Sequence, residues 1–354
     1  MAFNSISATP FVSSVMAEGI TVEVDYSFGT NNFFADQERK DALEETLNDI
    51  VARLGDDLEA IEPSGSNTWE MLFFHPSTGN LATVENPTIA QNTLRVYVGA
   101  RDLGGNTIGR GGFGGFSASG TSEFVETIAT RGESGATGDE NTATDFGPWG
   151  GNISFDLDTD WYFGSDVNGL PNNQQDFRSI AAHEFFHLLG FLEDNPSYDR
   201  LSNTSTFTGL AAIDEYDQSG VPPLNGSDDL SHWLKSLEDN DRETTMDPDF
   251  TNGTRKNPTE LDFAVLDDIG WEVQALSVGG GLVINEIGYD PIGSSGFDTD
   301  GDGNVEATDD EFIEIYNASN NDIDLNGFAI WDNSDLLYQF SSSFTLNSND
   351  FLIV

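Results

Sequence analysis

"AAHEFFHLLGFLED", residues 181–194, is the stretch on which the rest of the chain turns. His183 and His187 stand four apart, so on a helix they share a face and can aim two imidazoles at one Zn²⁺. Glu184, beside the first histidine, is placed to take a proton from a water at the metal. The upstream "FRS" and the apolar run through Leu189 predict a helix over 177–191, started by Gln175 or Asp176 and ended by Gly190. HExxH is short enough to arise by chance, and its setting on a strong helical segment closed by glycine is what gives it weight.

A catalytic zinc needs a third protein ligand and an open position. Residue chemistry offers three: Glu193, ten residues after His183; Glu215, 28 residues after His187; and His232 in "LSHWLKS". A carboxylate would make the site less positive and acidify water less, which favours the imidazole. The fourth histidine, His75 in "FFHPSTG", reads as a structural turn residue.

Working outward, "ITVEVDYSF" (20–28), "TLRVYVGARDL" (93–103) and "GNISFDLDTDWYFG" (151–164) read as strands. Residues 35–61 read as a long helical segment and 258–271 as a further helix, with Pro258 in its first turn and Gly270 at its end. Residues 104–120 are glycine-rich but lack the Lys-Ser/Thr of a phosphate loop, so they read as flexible backbone near an edge. After "VGGG" (278–281) the pattern changes to short strands. The expected division is an N-terminal segment (1–19), a peptidase domain (20–275), a linker (276–281) and an all-β module (282–354), an α+β chain in all.

Composition narrows the function classes. With 62 acidic and 13 basic residues the chain carries a formal charge of −49, which excludes a phosphate-binding face and so nucleic acid. No cysteine means no disulfide, no thiol catalysis and no Cys-ligated metal. There is no apolar run long enough for a transmembrane helix, and the first 19 residues, without a basic residue, make a poor secretory leader.

Downstream of His232, "RETTMDPDF" places Met246 in a turn. With this feature the sequence resembles the metzincin zinc endopeptidases, and among them the leishmanolysin-like members. His183, Glu184, His187 and Gly190 match the helix motif, His232-Trp233 follows an insertion of about 40 residues, and Thr245-Met246 matches the Met-turn. The resemblance covers about residues 20–273. It implies a mixed twisted sheet with an active-site helix, zinc held by His183, His187 and His232, Glu184 as general base, Met246 as a hydrophobic floor, and a protein or peptide substrate. Two departures stand out: Glu193 occupies the register where most members carry their third histidine, and no tyrosine stands two residues after Met246.

"DTDGDGNVEATD" (298–309) spaces Asp298, Asp300 and Asp302 as a calcium loop does, with Gly303 at the sharp turn and Asn304 and Asp309 as further oxygen ligands. The strands around it resemble the lamin-tail domain, an immunoglobulin-like β-sandwich borne by many secreted bacterial proteins; its last strands read as missing. The expectation is a secreted, monomeric zinc endopeptidase, with Ca²⁺ as a second ion. The rival is a calcium-stabilised, non-catalytic surface or adhesion protein.

Overall fold

The computed structural model describes residues 19–216, 220–239 and 242–274, and within the C-terminal part 277–278, 282–288, 312–318, 323–325, 328–332, 335–340, 344–348 and 350–354. All of the N-terminal segment but Gly19, and the acidic loop with Asp298, Asp300, Asp302, Asn304 and Asp309, lie outside the described residues. The chain divides into two compact units, 1–273 and 274–354. No helix among the described residues is long and apolar enough to cross a membrane.

The first unit runs β1 (Thr21–Asp25), α1 (Gln37–Val51), β2 (Thr68–Phe74), β3 (Leu81–Glu85), β4 (Thr93–Arg101), β5 (Gly109–Phe113), β6 (Gly115–Ser119), α2 (Ser122–Thr130), β7 (Gly150–Asp156), α3 (Phe177–Leu188), α4 (Pro196–Asp199), α5 (Leu210–Glu215) and α6 (Glu260–Asp268). Its main sheet has the order β1-β4-β7-β5, with β1, β4 and β7 parallel and β5 antiparallel at the edge. Every residue of β7 is buried, as befits a strand covered on both faces. Strand alternation sends Val96, Val98, Ile153 and Phe155 into one core with Leu43, Leu47, Phe177 and Phe185 of α1 and α3. Tyr97 points the other way, into a second core with Trp69, Met71, Phe73 and Trp149 under the sheet β3-β2-β6.

Two expectations are corrected here. The helical segment of 35–61 is helical only over 37–51, capped by Asp36; beyond it Arg53 pairs with Glu260 at 2.7 Å and Leu54 bridges Val273, so long-range contacts take over the backbone. The glycine-rich stretch is not a loose connection: it contains β5 and β6, each ordered by a different sheet. The hairpin β2–β3 was not foreseen at all.

The second unit is all-β in its described residues. Strands 277–278, 282–288, 312–317 and 351–353 form an antiparallel sheet, and Leu282, Ile315, Leu325, Phe340 and Leu346 form its core. The stretch expected to be a linker thus opens with a strand that pairs back onto Leu282–Val283.

Candidate metal centre and active site

α3 is buried along nearly its whole length, which fixes it against the sheet. Its N-cap, Asp176, accepts from Ser179 N–H at 3.0 Å and is held by the guanidinium of Arg255 at 2.7 Å. At the other end Gly190 has φ +106°, and a Cβ there would lie 2.5 Å from Asn195 Nδ2, so only glycine makes this turn without strain. The turn carries the Phe191 carbonyl back to 2.8 Å from His187 Nδ1.

His183, His187 and His232 converge. Their three Nε2 atoms form an equilateral triangle with 3.2 Å edges. Each opposite nitrogen has an acceptor: His183 Nδ1 donates to the Thr245 carbonyl at 2.8 Å, His187 Nδ1 to Phe191, and His232 Nδ1 to Asp229 Oδ1 at 2.5 Å. A neutral imidazole has one N–H, so three bare lone pairs face one another. Lone pairs so placed cannot bond to one another, and a shared electrophile between them would satisfy all three. A tetrahedral Zn²⁺ with bonds of about 2.0–2.1 Å needs N···N edges of about 3.3–3.4 Å, so donor type, tautomers and spacing all fit. Burial, with repulsion between the rings, drives the pKa of His183 well down and that of His187 to about 3, which keeps both rings neutral.

Glu184 is 6% exposed, and burial raises its pKa to about 8, against the pull of the Gly111 N–H and the Arg110 charge. It can sit there because β5 is glycine where it meets α3. A Cβ on Gly109 would lie 2.3 Å from Glu184 Oε1, and one on Gly111 would lie 2.1 Å from the Glu184 carbonyl oxygen. The three histidines and Glu184 line a cleft of about 740 Å³ that runs over the edge strand β5.

The Thr245–Met246 segment meets the histidines through the Thr245 carbonyl, 2.8 Å from His183 Nδ1. Met246 is fully buried; its carbonyl accepts from Trp233 N–H at 3.0 Å, next to His232. One carboxylate ties this region together. Asp262, fully buried in α6, accepts from Thr245 N–H, Met246 N–H, Trp233 Nε1 and Thr259. Burial raises the Asp262 pKa and these donors oppose that rise. Asp262 was missed in the sequence reading, although Thr259 and Asp262 have capping-box spacing and the box is formed. Asp229, three residues before His232, was missed as well, and no local pattern marks it.

The other candidates lie elsewhere. Glu193 is exposed, its N–H bonds to Ser231 Oγ, and it lines a separate acidic hollow with Asp139 and Asp199. Glu215 ends α5 and lines a hollow with Glu260 and Asp267. His75 accepts from Ser77 N–H within its turn at 3.1 Å. Among the described residues this histidine triad is the one cluster with metal-ligand spacing.

Comparison with known proteins speaks to the second unit. No curated protein and no solved structure matches the chain. The family model described as Lamin Tail Domain matches residues 276–354. The C-terminal part of this mixed α/β chain is a lamin tail domain.

Proposed function

We propose that residues 20–275 are a zinc-dependent endopeptidase of metzincin type, leishmanolysin-like in arrangement, acting on protein or peptide substrates outside the cell. The observation that carries this is the triangle of three Nε2 atoms, 3.2 Å apart, whose opposite ring nitrogens all meet oxygen acceptors, with the Glu184 carboxylate next to His183 on the same helix. A structural zinc site needs no such carboxylate. The order of His183, Glu184, His187, Gly190, late His232 and Met246 supports the same reading.

His183, His187 and His232 would hold the ion, with Asp229, Thr245 and Phe191 fixing their tautomers. When bound, zinc supplies Lewis acidity towards the attacking water and the developing oxyanion. Glu184 accepts a proton from that water as it adds to the peptide carbonyl. It then delivers the proton to the departing amine nitrogen as the C–N bond breaks. Burial suits Glu184 to both halves of this exchange, because a carboxylate whose pKa is raised is a stronger base and a ready donor. The edge strand β5 leaves backbone groups open along the cleft for an extended peptide.

The test is zinc stoichiometry and casein hydrolysis on the purified chain and on Glu184→Gln. The expected result is about one zinc per chain in both, with hydrolysis reduced by about 10²–10⁴ in the variant. A wild-type chain that binds zinc and cleaves nothing would replace this reading with the non-catalytic adhesion protein.

A further inference from the structure

Two arginines in the cleft wall stand outside the ion pairs of the described residues. The chain has 62 acidic residues for 13 cations, and six of the cations, Arg53, Arg95, Arg178, Lys235, Arg255 and Lys256, are in ion pairs. Arg131 is buried among backbone carbonyls. Arg101 and Arg110 both line the metal cleft, and among the described residues neither is in an ion pair or a side-chain hydrogen bond. Arg101 Nε is buried without a partner.

The strands put both guanidinia on one face. Gly109 and Gly111 face α3, so Arg110 between them faces away from it. Val98 and Ala100 join the core shared with α3, so Arg101 also faces away. Arg101 is paired with Asp156 and Arg110 with Ser154, alternate residues of β7, the strand between them. Asp156 is already occupied by Leu103 N–H, Asp158 N–H and Thr159 Oγ1 at 2.9–3.1 Å. The Arg101 guanidinium is also held in place: a Cβ on Gly79 would lie 3.1 Å from its Cζ, so the group rests against the backbone of that turn. The cleft therefore wraps the free edge of β5, with the histidines and Glu184 on one side and two free cations on the other.

We propose that Arg101 and Arg110 form an acid-binding subsite, selecting peptide substrates that place a glutamate or aspartate side chain on the sheet face opposite the histidines. An extended peptide paired with the edge of β5 sends successive side chains to alternate faces. One parity meets the guanidinia, whose forked donors match a carboxylate. The other parity meets the histidine side, where Asp194 and Asp229 line the cleft and repel an acid. The preference is thus positional, and against a chain of charge −49 it is the local cations that admit an acidic residue at all. This rests on the peptidase reading for its biological meaning but not for its measurement.

The experiment uses the zinc-loaded full chain carrying Glu184→Gln, which keeps peptides intact. Fluorescent neutral peptides carry one Glu at successive positions, each with a twin bearing Gln there, and binding is read by anisotropy. The expected result is about tenfold tighter binding of the Glu twin at alternate positions, lost on adding Arg101→Gln and Arg110→Gln together. Arg110→Gln alone, at an exposed edge position, guards against misfolding of the double variant and should reduce the ratio. Equal binding of the twins, no binding at all, or a Glu preference that survives both substitutions overturns the subsite. Hydrolysis of the same peptides by the wild-type chain is scored separately: failure there removes the peptidase reading while the binding ratio still decides the subsite.

Discussion

His232 Nδ1 lies 2.5 Å from Oδ1 of Asp229, within one turn of irregular chain. The His232 ring pairing lowers the Asp229 pKa, so the carboxylate is charged at neutral pH and leaves His232 Nε2 free to point at the other two histidines. Asp229→Ala is expected to weaken zinc binding by about 10–100-fold while leaving the fold intact. Competition with a chromogenic chelator measures this; unchanged affinity would show that the His232 ring is oriented without its partner.

The identity of the third ligand separates cleanly from its rival. His232→Ala should lose zinc at micromolar concentrations, and Glu193→Ala should retain it, because Glu193 lies in a different hollow. The opposite pattern in metal content would overturn the assignment.

Asp262 serves as acceptor for Thr245, for Met246, for Trp233 and for its own helix cap. Asp262→Asn replaces one acceptor oxygen by a donor facing donors. The expected cost is about 1–3 kcal/mol, the range for leaving a buried donor unpaired, read by urea denaturation of the first unit. A loss below about 1 kcal/mol would mean the turn is held by packing alone.

pH dependence follows from a second acidic group away from the cleft. Burial raises Asp56 to about 7, and burial with the neighbouring Asp145 raises Glu133 to about 7. A carboxyl with a folded pKa above its unfolded value holds more protons when folded between the two, so its stabilising effect is full below about pH 4 and is lost as pH rises through about 7. The melting temperature of the first unit should therefore fall between pH 5 and pH 8, with a shallower fall in Asp56→Asn. A flat wild-type profile, or a slope unaltered by the substitution, would contradict this.

Calcium is expected to act on the second unit through Asp298, Asp300, Asp302, Asn304 and Asp309. Calorimetry with and without a chelator should show the C-terminal transition moving down on calcium removal, and a transition indifferent to calcium would dispose of the idea.

How much of this was readable in advance depends on distance along the chain. The α3 motif was legible because helix geometry alone brings His183 and His187 together and puts Glu184 beside them, and Gly190 announces its own left-handed turn. The all-β character of the C-terminal part was legible from period-two alternation. His232 was reached only through the family resemblance: residue type left Glu193 and Glu215 open beside it, and the fold of the intervening 40-odd residues is what brings its ring to the other two and carries Glu193 elsewhere. The roles of Gly109 and Gly111 were equally hidden, since a glycine-rich stretch looks mobile until a helix is packed against it. Asp262 and the two cleft arginines depend on partners dozens of residues away, present or missing. Local periodicity encodes what a segment becomes by itself; which distant groups end within bonding distance is decided when burying the apolar faces of α1, α3 and the sheet leaves the chain one way to pack.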